Sequence, residues 1–194
     1  MAEHSALVRV THWVNTFSFF GLVVSGIAIL IAHPRLYWGE TGGVGTPSLF
    51  DLPIPFMLGH SGWGRYLHFL SAWACVVNGL LYGLSGVLTL HFRKNLLPAR
   101  AVSADSYNGL QRLTYSIVVF VLFPLIIVTG LAMSPAITSV VPALVSVFGG
   151  QQSARTIHFF VASFLVLFFF GHITMVSLAG FVNPVRSMIT GKSS

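Results

Sequence analysis

Charge is scarce in this chain, and negative charge is scarcer. Only 7% of its 194 residues are charged, and only four are Asp or Glu. None of those four falls within a long apolar run. Proton pumps and cation transporters commonly rely on carboxylates buried in the membrane, so this absence argues against both classes, while leaving passive electron transfer untouched. Cysteine is nearly absent as well. The single Cys75 excludes a disulfide, an iron–sulfur cluster and a Cys-x-x-Cys-His haem attachment within the chain, and its place in an apolar run reads as packing. What fills the space is apolar: 55% of the residues are hydrophobic, the composition of a small helical membrane protein and not of a soluble domain.

Hydropathy places four spans at about 10–32, 66–90, 111–134 and 155–179, which form one membrane domain over residues 1–194. The first is too long and too polar at its start (His12, Asn15, Thr16) for a cleaved signal peptide. Seven of the ten basic residues (Arg9, Arg93, Lys94, Arg100, Arg112, Arg186, Lys192) lie at the N-terminus, in the second loop or in the tail, against three (Arg35, Arg65, Arg155) in the first and third loops. The positive-inside rule then puts both termini in the cytoplasm. The formal charge of +6 faces anionic lipid headgroups and calls for no nucleic acid. The long first loop, from about His33 to Gly64, reads as irregular and external, with His33 and His60 as surface residues. His91 reads as a helix-end residue. Pro124 should kink the third span or sit beside a compensating group, and Ser134 to Gly150 reads as a short amphipathic element on the outer surface.

The last span, RTIHFFVASFLVLFFFGHITMVS, carries His158 and His172. Fourteen residues of helix advance about 21 Å and leave the two imidazoles about 40° apart in azimuth, so both face one side at opposite leaflets. Such groups usually meet a bundle interior or a cofactor. His12, one turn inside the first span, matches His172 in depth, and His68, near the start of the second, matches His158. Each of His12, His68 and His158 follows an arginine by three residues (Arg9, Arg65, Arg155), on roughly the same face and one turn nearer the water, where it is placed to hold an anionic group. Gly26 and Gly83 lie fourteen and fifteen residues after His12 and His68, removing a side chain at the depth of the opposite pair; Gly79-x-x-x-Gly83 also fits close helix packing. A weak internal echo relates LVVSGIAI (22–29) to IIVTGLAM (126–133).

Two histidines per site are too few for zinc, which normally takes three or four protein ligands. Haem brings four nitrogens of its own and needs only two axial ligands. The expected architecture is therefore an all-α membrane protein, a four-helix bundle enclosing two b-type haems: His12 with His172 on the inner iron and His68 with His158 on the outer.

At these positions the chain resembles the bacterial cytochrome b561 and hydrogenase b-type cytochrome family, which includes membrane subunits of formate dehydrogenase and related molybdoenzymes. The resemblance rests on Arg9-x-x-His12-Trp13, Ser25-Gly26, Thr129-Gly130, Arg65-x-x-His68, Tyr107-Asn108-x-x-Gln111-Arg112 and the His158 to His172 spacing. It implies electron transfer between a quinone pool and a soluble periplasmic redox partner, a molybdenum-cofactor oxidoreductase or a hydrogenase, with Asn108 and Gln111 as quinone-pocket candidates. Asn108 with Gln111 also has the spacing of a helix capping box. Two other functions compete: a self-contained superoxide:quinone oxidoreductase, and a haem-free transporter or assembly factor.

Overall fold

A computed structural model describes residues 5–43, 45–53, 62–89, 113–178 and 180–191. In chain order the elements are α1 (Ala6–Ala32), the two-residue strands β1 (Arg35–Leu36) and β2 (Phe50–Asp51), α2 (Gly62–Leu88), α3 (Leu113–Ala132), α4 (Pro135–Thr138), α5 (Ala143–Val147), α6 (Gln151–Leu178) and α7 (Val182–Thr190). Four of these, α1, α2, α3 and α6, are long and apolar enough to cross a membrane and fit a membrane helical bundle. Their ends differ from the hydropathy boundaries by up to four residues, because helix continues into polar interfacial sequence such as Gln151-Gln152-Ser153. Large apolar side chains point outward, as lipid solvation requires: Phe17, Leu70 and Leu167 are 72%, 70% and 67% exposed. Trp63 and Tyr66, near the start of α2, are exposed in the manner of an interfacial aromatic belt.

The chain divides into two units. The first comprises the described residues within Met1–Ile29, His60–Phe92 and Leu167–Ser194. Its seam is made of small and polar residues spaced by sevens. Thr11, Ser18 and Ser25 are the buried residues of α1, and Gly64, Ser71 and Asn78 are buried on α2. A seven-residue repeat keeps one face of each helix toward its neighbour, and small side chains let the backbones approach. A β-carbon on Gly21 would lie 2.3 Å from Ser71 Oγ, and one on Gly64 would lie 3.1 Å from the Ala28 β-carbon. Asn78 closes the seam by donating at 2.8 Å both to the Thr11 carbonyl and to Asn15 Oδ1. Helix α6 packs on α1 through Phe19 and Phe169, with ring centroids 5.0 Å apart. The amphipathic α7 is held at its end: Arg9 Nη1 donates to the Ile189 carbonyl at 3.0 Å and Trp13 Nε1 to that of Met188 at 3.1 Å.

The second unit comprises the described residues within Leu30–Gly59 and Arg93–Val166. Here the first loop is ordered against the start of α6. Strands β1 and β2 pair antiparallel, Arg35 with Asp51 and Leu36 with Phe50, and Arg35 Nε meets Asp51 Oδ1 at 3.0 Å. The Asp51 charge, then its hydrogen bond, raise the Arg35 pKa above its ordinary value. The Gly39 carbonyl accepts from the Gln152 and Ser153 amides at 3.0 and 3.3 Å, occupying amides that a helix start leaves unpaired. Ser153 Oγ accepts from the Gly39 amide at 2.7 Å, and Thr156 Oγ1 donates to the Tyr37 carbonyl at 2.6 Å. The Arg155 guanidinium donates to the His33 carbonyl. Leu36 and Tyr37 are buried as a result, while Trp38 and Glu40 remain exposed. In α3, the residues before Pro124 form a π-helical segment, Val118–Leu122. The proline lacks an amide and its ring crowds the carbonyl of Phe120, and a widened turn there accommodates both effects. Ser134 to Gly150 forms the short helices α4 and α5.

Candidate functional site

All four histidines are half-buried, and their places within the helices follow one rule. His12 and His68 are each the seventh residue of their helices, His158 is the eighth of α6 and His172 the seventh from its end. Six residues of helix amount to about 9 Å, so each sits well inside its helix end.

His12 and His172 belong to the first unit, and their rings are neighbours with centroids 6.5 Å apart and planes tilted by 51°. A metal–imidazole bond of about 2.0 Å, with each ring centre about 1.1 Å behind its nitrogen, puts two rings on one iron about 6.2 Å apart. The separation therefore suits a single iron between them, and two nitrogens are the donor set that haem leaves to the protein. Neighbouring rings brace the pair: Trp13 stands edge-on to His12 at 5.5 Å, and Phe168 stacks on His172 at 6.1 Å. Among the described residues no three His, Cys, Asp or Glu side chains gather as a zinc site would require.

His68 lies in the first unit and His158 in the second, and their settings correspond. Nδ1 of His68 is 3.0 Å from Ser25 Oγ, and Nδ1 of His158 is 3.0 Å from Thr129 Oγ1. A β-carbon on the following glycine would lie 3.8 Å from Cε1 of His68 at Gly26 and 3.4 Å from Cε1 of His158 at Gly130. The internal echo between residues 22–29 and 126–133 is thus a repeated histidine setting, with Gly26 against His68 and Gly130 against His158. A β-carbon on Gly83 or Gly79 would touch nothing within 4 Å. Helix packing at Gly79-x-x-x-Gly83 is accordingly not what the described residues show; the small-residue contact runs instead through Gly64, Ser71 and Asn78.

The arginines diverge. Arg9 caps α7, Arg155 holds the first loop, and Arg65 is exposed three residues before His68. Asn108 and Gln111 lie outside the described residues, as do Tyr107, Arg112, His60 and His91. The polar residues that hold the seam and the rings, Asn15, Asn78, Ser25 and Thr129, were given no role by composition or hydropathy. Their signal in the sequence is the seven-residue spacing and the repeated hydroxyl–glycine pair.

A curated relative, the putative protein-methionine-sulfoxide reductase subunit YedZ1 of Azospira oryzae, is 30% identical over an alignment of 197 positions that covers 91% of each chain. No solved structure matches significantly. The family model described as prokaryotic cytochrome b561 matches residues 3–191. The chain belongs to the prokaryotic cytochrome b561 family, as a multi-pass b-type haem protein of the bacterial inner membrane with a role in electron transfer.

Proposed function

We propose that the chain carries electrons across the membrane through two bis-histidine b haems, between the quinone pool and a soluble redox partner on the periplasmic side. The observation that carries this reading is the closeness of the His12 and His172 rings, 6.5 Å between centroids. Each haem supplies a one-electron couple when bound; the protein supplies ligands, orientation and exclusion of water. His12 and His172 are the ligands at the inner leaflet. His68 and His158 are the ligands at the outer one, a pairing supported by their matched depth in sequence and by the likeness of their hydroxyl–glycine settings. Gly26 and Gly83 leave room for a broad flat group. Arg9, Arg65 and Arg155 sit one turn from their histidines, although Arg9 and Arg155 already engage backbone carbonyls. Both termini are cytoplasmic by the positive-inside count.

The Azospira relative is named as a reductase subunit, which favours a partnered electron carrier over a self-contained superoxide:quinone oxidoreductase. It also makes a protein-methionine-sulfoxide reductase the partner class to test first, ahead of a hydrogenase. Quinone exchange is assigned to the inner side, with Asn108 donating to a carbonyl oxygen and Gln111 beside it. In proteoliposomes containing reduced quinone, the wild-type haems become reduced, whereas Asn108→Asp, a replacement that serves equally well at any helix N-cap, reacts slowly with both haem spectra intact. Wild-type kinetics in Asn108→Asp remove that assignment, and a wild-type protein inert to quinone removes the proposed route.

A further inference from the structure

A hydroxyl carries one proton, and at Ser25 and Thr129 that proton is already committed. Ser25 Oγ donates to the Gly21 carbonyl at 2.6 Å, with the Leu22 carbonyl at 3.2 Å. Thr129 Oγ1 donates to the Leu125 carbonyl at 2.7 Å, with that of Ile126 at 3.1 Å. Two oxygens this close need a proton between them, and a carbonyl has none to give. Each hydroxyl therefore offers its histidine only a lone pair. Nδ1 of His68 and of His158, each 3.0 Å from its hydroxyl, must carry the proton. A neutral imidazole protonated at Nδ1 keeps its free lone pair on Nε2. Ser25 and Thr129 are both 0% exposed, which keeps solvent from competing for these bonds. The glycine after each hydroxyl sets bare backbone against Cε1, the ring atom between the two nitrogens.

We infer that Ser25 and Thr129 are positioning residues: each accepts the Nδ1 proton of its histidine, fixes the tautomer and the ring orientation, and so presents Nε2 as the metal-binding nitrogen. The inference rests on the assignment of His68 and His158 as haem ligands, and adds which nitrogen binds and what holds it. Both halves of the chain build the device from the same dipeptide pattern, hydroxyl then glycine, one helix away from the ligand.

The test uses the full-length, haem-loaded protein in detergent, with haem content, the midpoint potential of each centre and low-temperature electron paramagnetic resonance as readouts. A ligand that donates its second N–H to an acceptor is more basic and favours ferric iron, and losing such a partner typically changes metal affinity by tenfold or more. Thr129→Val, which keeps the shape and removes the acceptor, should raise the outer midpoint by the equivalent of about tenfold in the ferric-to-ferrous affinity ratio, about 59 mV for one electron. The inner centre should not move. Thr129→Ser should retain the wild-type midpoint. Loss of the outer haem in Thr129→Val with retention in Thr129→Ser supports the inference equally, and Ser25→Ala, where the Leu22 carbonyl also hydrogen-bonds His68, should give a smaller shift of the same sign. Unchanged midpoints and spectra in both Thr129→Val and Ser25→Ala, in a protein where His158→Ala removes one haem, would overturn it while leaving the ligand assignment standing. Retention of both haems in His158→Ala would overturn the ligand assignment itself and the inference with it.

Discussion

Replacing Asn78 with leucine removes the side chain that ties α2 to α1 by two hydrogen bonds at 2.8 Å. Asn78 is only 5% exposed, so neither bond is readily replaced by water. Side-chain hydrogen bonds within membrane proteins average about 0.6 kcal/mol and reach about 1.7 kcal/mol. Two of them give an expected loss of about 1.2 kcal/mol and a ceiling of about 3.4 kcal/mol. The Thr11 carbonyl keeps its place in the α1 ladder, but Asn15 Oδ1 is left with the Cys75 thiol at 3.8 Å, a weak donor. Asn15→Leu, Asn78→Leu and the double variant form a cycle that isolates the Asn15–Asn78 bond. Measured by unfolding from mixed micelles, the double variant should be more stable than the summed single losses by about 0.6 kcal/mol, and by no more than about 1.7 kcal/mol. Strict additivity, or an Asn78→Leu protein as stable as the wild type, would refute the reasoning that this polar clasp secures the seam.

Two glycines give further tests. Gly21→Ala puts a β-carbon 2.3 Å from Ser71 Oγ and 3.3 Å from its Cβ; overpacking of this kind costs about 1–3 kcal/mol, and Ser71→Gly in the same chain should recover most of the loss in the same unfolding assay. Wild-type stability in Gly21→Ala alone would contradict the close approach. Gly150 has φ +122° and faces the carbonyl carbon and oxygen of Gly39, both 2.3 Å from a built β-carbon. Gly150→Ala should cost about 1–3 kcal/mol and speed hydrogen exchange at the amides of Leu36 and Leu49 while those of α2 stay protected. Unchanged exchange there would show that the loop is not held through Gly39.

The four spans were legible in the sequence because apolar runs of about twenty residues are a large signal, and the four histidines stand out there as imidazoles placed where polar groups are costly. The seam was harder to read. Thr11, Ser18 and Ser25 are polar residues scattered among apolar neighbours, and hydropathy averages them away; only their spacing by sevens, matched by Gly64, Ser71 and Asn78, marks a contact face. Glycine pairing at Gly79 and Gly83 points to a different row of α2, because a small-residue motif reports that backbones are able to approach and not which of them do. The spacing of Arg9, Arg65 and Arg155 before His12, His68 and His158 suggests a hold on an anionic group, but side chains this long reach backbone carbonyls too, and Arg9 and Arg155 do so. Helix α7 had a signal in Phe181, Val182, Val185, Met188 and Ile189 at helical spacing with Pro184 near the start, too short to register as a span. The π-helical segment at Val118–Leu122 follows from Pro124 only once the backbone is seen, since a proline in a span calls for relief without saying which form it takes.

Haem stoichiometry in histidine variants tests the central claim most directly. The purified wild-type protein, assayed by pyridine haemochrome against protein concentration, should hold two b haems per chain. His172→Ala and His12→Ala should each hold one, with the same spectral component missing from both, since the two ring centroids lie 6.5 Å apart. Two haems retained in either variant, or different components lost from the two, would contradict the pairing.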